Sequence, residues 1–393
     1  MSQPSASSTP TPVAVPMLDL KRQYATIREQ VREALDKVCE SQSLVLGEEV
    51  AALEREISAA LGTAGAVGCS SGTDALWLAL AALGIGPGDR VITTPYTFFA
   101  TVSAIVRTRA RPVLVDIDPA TFNLDPAAVA SRLASCDRVK AILPVHLYGQ
   151  CADLTAFAGL AANHCLKIVE DAAQAFGATW EGRLAGSLGD AAAFSFYPTK
   201  NLSAMGDAGC LTAGNDAILE RAHMLRNHGS RRRYHHEEVG ANSRLDGVQA
   251  AVLRIKLRHL VAWNDARRER AAAYDRLFTA AGLVAGKTGV SAATPVILPF
   301  RDPRAGHIFH QYVIRTHRRD ELRQFLTAHG IGSEVFYPVP LHLQPAFTFL
   351  GIEKGALPCA ERAAQEVLAL PMFPELTEEE QQRVVGAIAE FYG

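Results

Sequence analysis

Asp171, Gln174 and Lys200 are the residues whose types and spacing could do chemistry in this chain. They lie within residues 169–209, VEDAAQAFGATWEGRLAGSLGDAAAFSFYPTKNLSAMGDAG. The acid ends one apolar run and the lysine stands just past a second, residues 191–196. A carboxylate and an amine, each at the end of a buried strand, are what a pyridoxal phosphate site needs. The acid keeps a pyridine nitrogen protonated, and the amine condenses with an aldehyde to a Schiff base. Gln174, one helical turn after the acid, could reach the ring hydroxyl. If that reading holds, the protein is an enzyme. The competing readings are a helix-starting acid with Glu170 as its solvated neighbour, a surface amide and an exposed lysine.

Three further groups could complete the site. Ser70-Ser71-Gly72-Thr73-Asp74 falls between a predicted strand and a predicted helix. Free backbone N–H groups there suit a phosphate, and an ordinary N-cap is the alternative. Phe98, after Thr97, could stack on a flat ring, which is worth about 1 kcal/mol, or could be core. Ser195 faces opposite to Phe194 and Phe196 if residues 191–196 form a strand. Its hydroxyl in an apolar run then needs a partner, and a phosphate oxygen would serve.

The elements that must position these groups follow from the rhythm of the chain. Helical periodicity covers residues 22–39 and 48–61. Short apolar runs at 66–69, 91–93, 112–115, 141–144, 167–169, 191–196 and 210–213 then alternate with helical segments at 75–83, 98–108, 126–133, 154–164 and 217–227. Strands apolar on both faces and separated by helices predict an α/β fold with a mostly parallel sheet. Ligands then sit at the carboxyl ends of the strands. From about residue 261 a charged helix (264–281), strands near 294–298 and 311–315, and helices at 320–328 and 377–392 predict a smaller α+β domain. Residues 1–16, rich in Ser, Pro and Thr, are expected to be a disordered tail. The domains expected are therefore 17–260 and 261–393.

Bulk properties narrow the class. The 393 residues carry a net charge of −2 with both signs interspersed, which gives no electrostatic reason for nucleic acid or membrane as partner. The seven cysteines are scattered without a CxxC pair, which argues against zinc or a disulfide framework and for a reducing cytoplasm. No metal is expected.

In order and spacing, SSGTDAL (70–76), PYTFFAT (95–101), EDAAQAFGA (170–178), GDAAAFSFYPTKNL (189–202), RNHG (226–229), GANSRLD (240–246), YPVPLH (337–342) and LALPMFPELTEE (368–379) resemble the DegT/DnrJ/EryC1/StrS family. These are pyridoxal phosphate-dependent nucleotide-sugar aminotransferases of fold type I. The resemblance runs from about residue 18 to the C-terminus. It implies Lys200 as the Schiff-base lysine, Asp171 at the pyridine nitrogen, Gln174 at the ring hydroxyl and Phe98 on the ring. Phosphate would be held by Gly72, Thr73, Asp74 and Ser195, with Asn242 reaching across from a second subunit of a homodimer. Lysine at 200, where dehydratases of the family have histidine, implies transamination. Glutamate is the implied donor and a nucleotide-linked 3-ketosugar the acceptor, either a UDP-2-acetamido-3-keto-uronic acid or a dTDP-3-keto-deoxysugar. Arg244, in RRRYHHEEVGANSRLD, could pair with a substrate carboxylate or support Asn242. Tyr337 and His342 are candidate sugar contacts, with packing of a Pro-rich turn as the alternative. Phe336 stands where many relatives have histidine, which keeps a 4-ketosugar as the alternative. The rival classes are a fold-type I lyase and a non-catalytic cofactor-binding regulator. The former lacks the GANSRLD and YPVPLH segments, and the latter needs a binding module that the sequence does not contain.

Overall fold

A computed structural model describes residues 14–284 and 295–393. Most of the expected tail, and Thr294 of the expected strand, lie outside the described residues. Val15, inside the expected tail, is buried, and its N–H donates to the Gly330 carbonyl.

Two helices open the fold, α1 (Leu20–Ser41) and α2 (Glu48–Leu61). Asp19 starts the first by accepting from the N–H groups of Lys21 and Arg22, which satisfies two otherwise orphaned donors. A seven-stranded sheet follows, built from β1 (Gly65–Cys69), β2 (Arg90–Thr93), β3 (Arg111–Leu114), β4 (Val139–Leu143), β5 (Lys167–Asp171), β6 (Ala191–Ser195) and β7 (Gly209–Ala213). Their order across the sheet is β1-β7-β6-β5-β4-β2-β3. The intervening helices are α3 (Gly72–Ala82), α4 (Phe99–Arg107), α5 (Pro126–Leu133), α6 (Leu154–His164) and α7 (Asp216–Arg226). All seven apolar runs are strands. Side chains alternate across the sheet: Ile92, Ile142, Ile168, Ala192 and Phe194 enter one core, and Val91, Ala141, Leu143, Val169 and Ala193 the other.

One strand runs against the rest, since β7 is antiparallel to both β1 and β6. Parallel neighbours need a crossover connection, commonly a helix. The segment between β6 and β7 contains none, so it turns back on the same rim of the sheet. That segment carries Lys200.

The helix expected over 264–281 begins much earlier. α8 runs unbroken from Gly247 to Ala280 and passes straight through the residues where a domain boundary was expected. Beyond it, β8 (Val296–Ile297), β9 (Tyr312–Thr316) and β10 (Val367–Leu370) make a small antiparallel sheet in the order β8-β9-β10. With α9 (Arg319–Ala328), α10 (Pro358–Glu366) and α11 (Glu378–Tyr392) it encloses a core that includes Tyr274, Ile314, Leu326, Leu368 and Ile388. Among the described residues no helix is long and apolar enough to cross a membrane, and no cluster of His, Cys, Asp and Glu could hold a metal.

Candidate active site

Sheet register brings the sequence candidates to one rim. Cys69 and Ser195 both pair with Gly209, and Asp171 is level with Ala193. The carboxyl ends of β1, β5 and β6 therefore open side by side. A cavity of about 550 Å³ lies there, lined among others by Gly72, Thr73, Phe98, Asp171, Gln174, Ser195, Lys200 and Tyr337.

Asp171 is buried at the end of β5, and is not the start of a helix. Its Oδ2 accepts from Thr101 Oγ1 at 2.7 Å and its Oδ1 from the Ala173 N–H at 3.2 Å. Burial still pushes its pKa up, while these bonds and the Lys200 charge pull it down. The carboxylate thus sits short of counter-charge. Burial also drives Lys200 down to about 8, against the opposing pull of Asp171. The two groups can exchange influence but are not bonded to each other in the structure. Glu170, the solvated neighbour of the competing reading, is fully buried. It accepts from His146 Nε2 at 2.9 Å and from the backbone N–H groups of Gly186, Leu188 and Gly189. Burial works against its charge, yet these bonds outweigh it and hold its pKa below the carboxylate norm. His146 Nδ1 accepts from the Ala152 N–H, so the ring proton is on Nε2 and faces Glu170. A strand that alternates its faces must bury one of two adjacent acids on each side, which the sequence reading did not allow for.

Ser71 is the N-cap of α3, its Oγ accepting from the Asp74 N–H at 3.1 Å. The cap and the phosphate site are therefore compatible, because Gly72 and Thr73 still line the cavity. A Cβ on Gly72 would lie 2.6 Å from Ser195 Cβ, and one on Gly209 would lie 2.3 Å from the Ser71 carbonyl. Backbones approach here as closely as they can, and only glycine permits it.

Not every candidate reaches the cavity. Asp74 turns away: its carboxylate is taken by Ser70 Oγ and Arg107 Nη1, which hold its pKa down against burial. His342 is also a correction. Its imidazole is buried, with Nε2 bonded to Glu361 Oε1 at 3.0 Å, and it makes no wall of the cavity. Arg244 does not line the cavity of its own chain and donates to Asn227 Oδ1 at 3.3 Å. Asn242 is exposed, on a segment that bridges to Asn227. Phe98 is 57 % exposed at the cavity mouth, which removes its core alternative, whereas Phe99 stacks on Phe347. Gln174 is clamped at both ends: its Oε1 accepts from the Tyr148 N–H at 2.6 Å and its Nε2 donates to Tyr337 Oη at 3.0 Å.

Sequence reasoning missed Thr101, His310 and Gln311. Thr97 and Thr101 stand one helical turn apart with their hydroxyls 3.0 Å from each other, a spacing that could have flagged the pair. His310 and Gln311 come from the far domain and carry no local signal.

The family model that matches residues 25–389 is that of the DegT/DnrJ/EryC1/StrS aminotransferase family. The chain belongs to that family. It is 50 % identical over 96 % of its length, and 98 % of the relative's, to a pleiotropic regulatory protein of Geobacillus stearothermophilus. It is 46 % identical to dTDP-3-amino-3,4,6-trideoxy-alpha-D-glucose transaminase of Streptomyces venezuelae, covering 96 % of each. Its fold superposes on the solved structure of DesV from S. venezuelae with a TM-score of 0.90 at 45 % identity, covering 96 % of this chain and 98 % of that one. A second solved relative, NtdA of Bacillus subtilis, carries pyridoxamine phosphate (TM-score 0.86, 29 % identity, 98 % and 86 % covered). As a DegT/DnrJ/EryC1/StrS aminotransferase, the chain is an enzyme that works with pyridoxal phosphate. Its cavity fits that group on the chain's own terms: a buried carboxylate short of counter-charge, a depressed amine, and a helix N-terminus pressed against Ser195 where a Cβ would intrude.

Proposed function

We propose that the enzyme transfers an amino group from glutamate to a nucleotide-linked 3-ketosugar. The observation that carries the reading is that Lys200 and Asp171 open on one cavity whose edge is the N-terminus of α3. In this reading the backbone of Gly72 and Thr73 and the hydroxyl of Ser195 take the phosphate, where the partial positive charge of the helix end favours an anion. Asn242 of one protomer completes that cradle in the other, which accounts for its exposure on an isolated chain. The Asp171 carboxylate holds a proton at the pyridine nitrogen, with Thr101 and the Ala173 N–H fixing its orientation. Phe98 would cover one face of the ring, with Gln174 and Tyr337, which line the same cavity, at its border. When bound, pyridoxal phosphate supplies the electron sink that stabilises negative charge at the carbon losing or gaining a proton. Lys200 Nζ, half neutral near pH 8, can take up that proton and return it without leaving the cavity.

The 3-position is supported by the likeness to the Streptomyces venezuelae transaminase and by the RRRYHHEEVGANSRLD segment. The deciding experiment is a mass-spectrometric screen of the purified protein with glutamate against nucleotide-linked 3- and 4-ketosugars. A 3-aminosugar product is expected. Preference for the 4-ketosugars would move the amination site, and no product with any of them would sink the sugar reading. The Geobacillus relative's name favours one second reading, a regulatory protein that uses the same cavity without turnover. That reading requires glutamate to leave the cofactor's absorbance unchanged.

A further inference from the structure

His310 lines the same cavity as Lys200 but comes from the far part of the chain, two residues before β9. A chain of amides fixes which of its ring nitrogens carries the proton. The chain starts at the carbonyl of Phe176, which can only accept, so the 3.2 Å contact from Asn264 must come from its Nδ2. Asn264 Oδ1 then faces Asn201, whose Nδ2 donates to it at 2.8 Å. The same Nδ2 reaches a second obligate acceptor, the Ile308 carbonyl, at 3.4 Å. Both amide orientations are therefore set by backbone carbonyls. Asn201 is left presenting Oδ1 to His310 Nδ1 at 3.1 Å, and Nδ1 must be the donor. The unprotonated nitrogen is Nε2.

These residues are built to hold one state. Asn201, Asn264 and His310 are all more than nine-tenths buried. Gly177 has a positive φ, and a Cβ there would lie 2.6 Å from Asn264 Nδ2, so the glycine leaves room for the first link. Among the described residues the one hydrogen-bond partner of Nε2 is Gln311 Nε2 at 3.5 Å, which is at the outer limit of a hydrogen bond. A buried acceptor so weakly satisfied favours a better donor.

We propose that His310 is a specificity-determining residue, accepting through Nε2 a hydrogen bond from a hydroxyl of the keto substrate. The inference rests on the sugar reading above. Burial, with the charges of Lys200 and Arg267 nearby, holds the imidazole neutral well below its ordinary pKa. That makes it a fixed acceptor and a poor base. The same two charges disfavour a cationic ligand group at this point and leave an uncharged donor as the one that fits.

Two measurements test this. In 15N NMR of histidine-labelled wild-type protein, with His310→Gln assigning the resonance, His310 is expected as the Nδ1–H tautomer; an Nε2–H signal overturns the proposal without reference to any substrate. In kinetics, His310→Phe is expected to lower kcat/KM for the ketosugar about tenfold or more, the scale of one lost hydrogen bond. The rate at which glutamate bleaches the cofactor should stay within about twofold. A deoxy-ketosugar lacking the bonded hydroxyl should be used equally well by variant and wild type. Asn201→Leu should shift the ketosugar step in the same direction. An equal loss in both half-reactions, or no loss in either, overturns the proposal. A wild type that aminates no nucleotide-linked ketosugar fails the substrate reading and this inference with it; an active wild type with an unaffected His310→Phe fails this inference alone.

Discussion

At the scale of the residue, the two groups proposed to carry the chemistry are displaced in opposite senses by the same cause. Burial raises Asp171 and lowers Lys200, because each loses water around its charged form. The lysine has the direct consequence for rate. In the proposed role its neutral form is the nucleophile, and that form grows as pH rises through about 8, well below the ~10.4 of an exposed lysine. Apoenzyme mixed with pyridoxal phosphate should therefore develop its bound-cofactor absorbance with a rate that climbs from pH 7 to 9 and levels off above. A rate still climbing steeply at pH 10 would refute the depressed amine. That Lys200 and Asp171 share one rim of the sheet was legible in the sequence because strand ends in an α/β sheet are marked by the apolar runs that precede them. Between the two readings of His342 the sequence could not choose, for the opposite reason. Its motif fixed a position in the chain, but only the fold shows Glu361 beside it.

Between residue and molecule stand the elements, and here the sequence was most informative. Seven apolar runs became seven strands, since burial on both faces leaves no other pattern. Direction was not legible, because an apolar run reads the same whether its strand lies parallel or antiparallel. The early start of α8 was equally hidden behind GANSRLD, where a loop and a helix meet without a change of composition. The reversal at β7 places Gly209 against the Ser71 carbonyl and the Gly72 amide. Gly209→Ala should push the two apart where neither backbone can yield. We expect at least a tenfold weaker hold on pyridoxal phosphate, read by titrating apoenzyme, together with a loss of stability of about 1–3 kcal/mol from overpacking. Unchanged affinity would mean that α3's N-terminus does not receive the phosphate.

At the scale of the whole molecule, the cavity of one chain is lined without Asn242, which is exposed. If the proposed homodimer shares its sites, two dead enzymes should rescue each other. Lys200→Ala and Asn242→Ala, unfolded and refolded together in equal amounts, should recover about a quarter of wild-type activity: half the dimers are mixed, and each mixed dimer has one intact site. No recovery over the separate variants would remove Asn242 from the shared site. The domain pattern in the sequence suggested two bodies joined near residue 261, yet the join is the middle of a continuous helix. From α8, Asn264 donates to the Phe176 carbonyl on the large sheet's side. Arg267, less than one turn on, donates to the carbonyls of Phe309, His310 and Met372 on the small sheet's side. A helix pinned to both parts within one turn offers heat and denaturant no seam between them. The lifetime of the folded enzyme in a cell is then governed by one unfolding barrier, and a lesion in either sheet shortens the life of both.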